Sequence, residues 1–144
     1  LLFDDNIHAS EEYCLFMQLA VKNCFIADNE FVTKYRIHDN ALTNKTAAKW
    51  GYERRYTLDK IVKENPEVKN KYLIELNEAY ARAAYYDAQF YMSIKDTKSA
   101  VNSLSAYKFQ GIIYFILYIL ARNFSGIWHY LQKIKYGRKL KDVD

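Results

Sequence analysis

Residues 72–107 read YLIELNEAYARAAYYDAQFYMSIKDTKSAVNSLSAY, and the spacing within this stretch decides the fold. Tyr72, Leu76, Ala79, Tyr80, Ala83 and Phe90 recur at intervals that bring side chains to one face of a helix, which predicts a long amphipathic helix running to about Ile94. Asp96 is placed to cap the next helix, because a short carboxylate can accept from the otherwise unpaired N–H groups of a first turn. Ala100, Val101, Leu104 and Tyr107 then share that helix's inner face, and the two helices predict an antiparallel hairpin. The hairpin is similar in form to one unit of a superhelical repeat, but no fixed period appears elsewhere and a solenoid is not supported.

Working outward from there, Ala48, Tyr52, Leu58, Ile61 and Val62 predict a helix ending at Asn65, where Pro66 can open another with Asn65 as its cap. Ser10 is an N-cap candidate, followed by Glu11 and Glu12 and by Leu15, Phe16, Leu19 and Ala20 at helical spacing, which predicts a helix over 11–22. Between these helices, residues 24–27 form a short apolar run and residues 31–38 alternate as a strand would. Phe31, Thr33, Tyr35 and Ile37 would share one face. Val32, Lys34, Arg36 and His38 would share the other, setting a guanidinium beside an imidazole as the wall of a site. Residues 39–44 read as a loop. Near the C-terminus, residues 109–121 carry no charge, but about 13 residues fall short of the roughly 20 that span a bilayer, so a buried core helix is expected. Beyond Arg122, Ile127, Trp128, Tyr130, Leu131 and Ile134 share a helix with Lys133, Lys135, Arg138, Lys139 and Lys141, a basic and aromatic-rich end suited to an anionic membrane face.

Composition agrees with a mainly α chain. Four Gly and one Pro in 144 residues, with 51% hydrophobic and 17% aromatic side chains, favour long uninterrupted elements in one compact unit. Twenty-one Lys and Arg against seventeen Asp and Glu leave a net charge of +4, far from a nucleic-acid-binding composition. Cys14 and Cys24 sit in apolar stretches without metal-ligand spacing and read as buried, reduced thiols of a cytoplasmic protein. The opening residues have no initiator Met, basic region or apolar region of a signal peptide, and read as the start of a fragment. The glycosylation patterns at Asn44 and Asn123 arise easily by chance and are set aside.

The first third carries an ordered series of motifs: Phe3-Asp4-Asp5, then Glu11-Glu12 opening a helix, then Phe25-Ile26-Ala27, then Tyr35-Arg36-Ile37-His38 followed by a polar loop. In order and spacing, residues 1–45 resemble the end of the catalytic domain in family 2 glycosyltransferases of the GT-A fold, and the helical remainder is similar in type to the extensions such enzymes carry. The resemblance implies two parts: residues 1–43 as the acceptor-side end of the catalytic domain, with a small β remnant of its α/β fold, and residues 44–144 as a helical, bundle-like C-terminal extension. It implies that Glu12, at the position of the family's aspartate, is the base that deprotonates the acceptor hydroxyl. Glu11 and Arg36 would be substrate-binding, Arg36 pairing with phosphate or carboxylate oxygens. His38 matches a histidine that lies near the donor diphosphate and in some members helps to hold the divalent metal.

Plainer readings stand beside each of these. Two glutamates after a serine stabilise any helix's first turn, His38 could be a satisfied histidine at a strand end, and Arg36 a surface cation. His8 and His129 match nothing and read as surface or packing residues, while Tyr72, Tyr80, Tyr85 and Tyr86 read as helical core and rim rather than a sugar-stacking platform. The family's metal-binding Asp-x-Asp has one formal match, Asp142-Val143-Asp144, in a terminal tail after a basic helix, which is taken as accidental. The expected function is therefore that of a fragment of an inverting glycosyltransferase, inactive alone, which in the full-length enzyme moves a sugar from a nucleotide-diphosphate sugar to a glycan or lipid-linked acceptor with Mg or Mn. No metal is expected in the fragment itself. The alternative is a non-catalytic helical interaction or membrane-docking module. The expected location is the cytoplasm, with peripheral contact at the cytoplasmic membrane face.

Overall fold

The structure, a computed structural model, describes residues 3–22, 26, 30 and 45–141, with side chains as far as Ile134. Among the described residues all regular structure is helical: α1 (Glu11–Val21), a 3-10 turn (Ala47–Lys49), α2 (Trp50–Glu64), α3 (Pro66–Lys71), α4 (Leu73–Ser93), α5 (Thr97–Ser105), α6 (Ile112–Asn123) and α7 (Ser125–Lys141). The chain is mainly α, as the periodicity predicts. The strand expected over 31–38, with Arg36 and His38, lies outside the described residues, as does the boundary expected at residue 43. Two compact units divide the chain, Leu1–Leu76 and Asn77–Asp144, and not the one unit that length and composition favour.

In the first unit α1 packs on α2, and the Arg54 guanidinium lies 4.3 Å from the centre of the Tyr13 ring. Glu53, Thr57 and Ile61, four apart, and Leu58 beside Thr57 lie on the buried face of α2, so that one stripe points inward. Ile7 and Cys14 are also buried, and Cys14 is a free thiol that accepts from Gln18 Nε2 at 3.3 Å. The α2–α3 turn falls where expected, but Asn65 works in the other direction. Its side chain makes no cap bond to α3; instead its backbone N–H and its Nδ2 donate to Ile61 O, at 2.8 and 3.2 Å, and close α2. Ser10 likewise occupies the cap position of α1 without a side-chain cap bond.

The second unit is built around small and aromatic side chains. Ala88 and Met92 of α4, Ala100 and Leu104 of α5, Tyr118 and Ala121 of α6 and Trp128 of α7 form one core. The buried stripe of α4 is thus largely alanine, with Ala81 and Ala84 buried alongside, whereas Tyr72 is exposed. Alanine suits this position because it favours helix without loss of side-chain entropy and lets neighbours approach closely. Asp96 caps α5 as predicted, accepting from Ser99 N at 3.0 Å, and hydrogen bonding from the Ser99 side chain first and its N–H second holds the carboxyl below the usual range.

Two expectations for this unit need correction. The apolar run becomes a helix of 12 residues that buries Tyr114, Tyr118 and Ala121 but leaves Ile112, Ile113, Phe115 and Ile116 exposed, so it is not a buried core helix. One stripe of a helix in a small unit meets the core, and here tyrosines take it because their hydroxyls find partners: Tyr114 donates to Glu78 Oε1 at 2.8 Å, and Tyr118 accepts from Arg122 at 2.9 Å. Trp128, expected on the exposed basic end, is only 2% exposed and belongs to the core. Among the described residues no helix is long and apolar enough to cross a membrane.

Candidate functional site

The turn that leads into α1 is held from below by α2. Asp4 Oδ1 accepts from the backbone N–H of Asn6 at 3.0 Å and from its Nδ2 at 2.9 Å, the local turn that short acidic side chains favour. Asp4 Oδ2 meets Lys60 Nζ at 2.6 Å and accepts from Tyr56 OH at 3.3 Å. The Lys60 hydrogen bond, helped by the Asn6 N–H, holds the Asp4 carboxyl down at about 2, and Asp4 in turn raises Lys60. Ile7 anchors the turn in the core.

Glu53 completes the support. Its carboxylate is buried, and its two oxygens accept from consecutive backbone N–H groups, His8 at 3.1 Å and Ala9 at 2.8 Å. These are donors that the first residues before a helix would otherwise leave to water. Glu53 thereby holds the backbone just before the Ser10 cap position, and it fixes the direction in which α1 begins.

What this scaffold presents is an open concavity of about 760 Å³ lined by Phe3, Asp4, Asp5, Ile7, His8, Glu11 and Glu12. Glu11 and Glu12 occupy the first turn of α1, where the positive end of the helix macrodipole stabilises negative charge. The Phe3-Asp4-Asp5 opening and the Glu11-Glu12 pair, six residues apart in the chain, thus line the same hollow. Asp4 is drawn away to Lys60, which leaves Asp5, Glu11 and Glu12 as the accessible carboxylates there. His8, read from sequence as a surface or packing residue, has an exposed ring on the wall of this hollow.

Arg36 and His38 lie outside the described residues, so the pairing of Glu12 with them is not part of the described geometry. Among the described residues no group of three His, Cys, Asp or Glu could hold a metal ion. Glu53 and Lys60 were not legible as site-supporting residues from motifs. No signal pointed to Glu53: it is in step with Thr57 and Ile61 on the buried face of α2, whereas the apolar period Ala48, Tyr52, Leu58, Ile61 and Val62 centres on another side of the helix and includes Tyr52, which is exposed.

The second unit has its own hollow, about 580 Å³, lined in part by Glu78, Arg82, Tyr85, Tyr86 and Tyr114. Glu78 accepts from both Tyr114 and Arg82, the latter at 3.3 Å, and burial together with the Glu78 hydrogen bond pushes Tyr114 up to about 12. Tyr85 also packs 6.2 Å from Trp128 and accepts from Gln132, which places it at the edge of the core, whereas Tyr72 is exposed. No family model, characterised protein or solved structure matches the chain.

Proposed function

We propose that this chain is the acceptor-side end and helical extension of an inverting, nucleotide-sugar-dependent glycosyltransferase of family 2 and the GT-A fold, with Glu12 as its general base. The observation that carries this reading is the convergence of Asp5, Glu11 and Glu12 on one solvent-open hollow, with Glu12 in the first turn of a helix whose start is pinned by the buried Glu53. A base needs a carboxylate that its substrate can reach from a fixed backbone position, and Glu12 is exposed in the first turn of a helix whose start is anchored.

In the reaction, a Glu12 oxygen takes the proton of the acceptor hydroxyl as that oxygen forms a bond to the anomeric carbon. The bond from the anomeric carbon to the donor's diphosphate oxygen breaks, and the nucleoside diphosphate leaves with the electron pair. Glu11 orients the acceptor, and Arg36 pairs with anionic oxygens on the donor side. The described residues do not by themselves form the divalent metal site that the family resemblance implies: Asp5, Glu11 and Glu12 line one hollow without standing close enough together to hold an ion, and Asp4 is committed to Lys60. On this reading, Arg36 apart, donor binding and diphosphate departure belong to the parts of the family's catalytic domain that residues 1–45 do not resemble.

The test compares neighbouring substitutions in the protein that carries both halves. Glu12→Gln keeps shape and hydrogen bonding but removes the proton acceptor, so turnover should fall roughly 100-fold to 10,000-fold with little change in donor affinity. Glu11→Gln should cost far less. Near wild-type turnover in Glu12→Gln would remove the base assignment.

A further inference from the structure

The second unit has an apolar surface that its core does not use. Phe109 is 82% exposed, Ile112 71% and Ile113 66%, and Ile116 follows on the same side of α6. Ile127 and Leu131 of α7, the next helix in the chain, are also about half exposed. Large apolar side chains standing singly in solvent are ordinary, but several grouped on consecutive helices of one small unit mark a surface that meets something.

Charge indicates what that is. Between Thr97 and Lys141 the sequence contains eight Lys and Arg and no Asp or Glu. Lys108 lies beside the exposed ring of Phe109, its Nζ 5.1 Å from the ring centre, and Arg122 and Lys133 are exposed on α6 and α7. A second copy of the chain would bring these cations against their own images across a two-fold interface, which opposes self-association. An anionic lipid surface instead attracts each of them, and a fluid interface receives protruding side chains without a complementary groove. A helix of 12 residues rises only about 18 Å, so it would lie in the interface and not cross it.

We infer that α6 and the start of α7 form a peripheral docking surface for an anionic lipid bilayer, with Ile112, Ile113, Ile116 and Phe109 entering the acyl boundary and the surrounding cations meeting the headgroups. The surface centres on α6 and the residues before it, and Trp128 has no part in it because it is buried. This inference does not rest on the glycosyltransferase reading.

Cosedimentation of the 144-residue chain with phosphatidylglycerol–phosphatidylcholine vesicles, against phosphatidylcholine alone, tests it. Binding should require the anionic lipid, weaken as salt rises, and fall about 10-fold or more when Ile112, Ile113 and Ile116 are all changed to Ser. Those side chains are exposed, so the thermal midpoint of the triple variant should match the parent. Phe109→Ser, at a position outside any helix, gives the same direction of change should the triple variant fail to fold. Absence of binding to anionic vesicles at low salt would overturn the inference. So would unchanged binding by a folded variant, a vesicle-free dimer that the variant dissociates, or equal, isoleucine-dependent capture by a soluble acidic polypeptide.

Discussion

The two units solve the problem of stability with different chemistry. The first places charged side chains under its backbone: Glu53 holds two N–H groups of the turn before α1, and Asp4 joins that turn to Lys60 on α2. The second has an alanine-rich core closed by Met92, Leu104 and Trp128, and leaves isoleucine and phenylalanine outside. Directional bonds fix where a turn points, which suits a site. Apolar packing fixes a platform and constrains little about its outer face, which suits a surface.

The comparison breaks most severely if each unit fails to respond to its own chemistry. Trp128→Ala should destabilise the second unit by about 4 kcal/mol, as expected for removing a fully buried indole and leaving a cavity. Glu53→Ala should destabilise the first by about 2 kcal/mol, because it removes two hydrogen bonds to a charged acceptor and leaves a gap where the carboxylate was buried. Segment-resolved hydrogen exchange separates the effects: the first variant should lose protection mainly in α5 to α7, the second mainly in residues 3–22 and in α2. Equal loss throughout both units would show that the contrast has no energetic meaning.

A smaller effect sharpens the contrast by pH. Asp4 titrates near 2 in the folded chain against an ordinary 3.8, chiefly through its hydrogen bond from Lys60. A lowered carboxyl contributes stability that is complete above its unfolded value and is lost as pH falls through the folded one. The first unit should therefore weaken as pH drops from about 4 to 2, by on the order of 1 kcal/mol once solvent screening of the lysine is allowed for. Asp4→Asn should remove that part of the acid dependence, measured as urea midpoints against pH. A variant whose acid limb matches the parent's would mean that the Asp4–Lys60 pair has no energetic weight.

Helix positions were the most legible part of this molecule, because α1, α2, α4 and α5 each combine an apolar period with a recognisable boundary such as Pro66 or Asp96. Burial was less legible. Apolar count alone places residues 109–121 inside, whereas the core accepts only the stripe containing Tyr114, Tyr118 and Ala121. Which stripe wins depends on partners distant in sequence: Glu78 for the Tyr114 hydroxyl, and Ala88 and Met92 for the space beside Tyr118. At the candidate site, Glu11 and Glu12 were visible as a motif, but Glu53 was not, since its role depends on a turn about 45 residues upstream.

The smallest effect concerns how each unit turns between helices, and it should have opposite signs in the two. In the first, Asn65 leaves α2 with φ −137°, a conformation open to any residue, and its side chain contributes a bond to Ile61 O. In the second, Lys95 follows α4 with φ 64°, in the left-handed region, so that Lys95 N–H reaches Met92 O at 3.0 Å and Asp96 N–H reaches Tyr91 O at 2.8 Å. Those two bonds satisfy carbonyls at the helix end, and glycine meets the same geometry without the clash a Cβ brings. Lys95→Gly should therefore stabilise the second unit by about 0.5 kcal/mol, the relief of strain exceeding the extra entropy glycine gives the unfolded chain. Asn65→Gly relieves no strain, loses a side-chain bond and carries the same entropic penalty, so it should destabilise the first unit by about 1 kcal/mol. Paired thermal melts with segment-resolved exchange would register both changes. A Lys95→Gly variant no more stable than the parent would mean that the left-handed turn at Lys95 carries no strain for glycine to relieve.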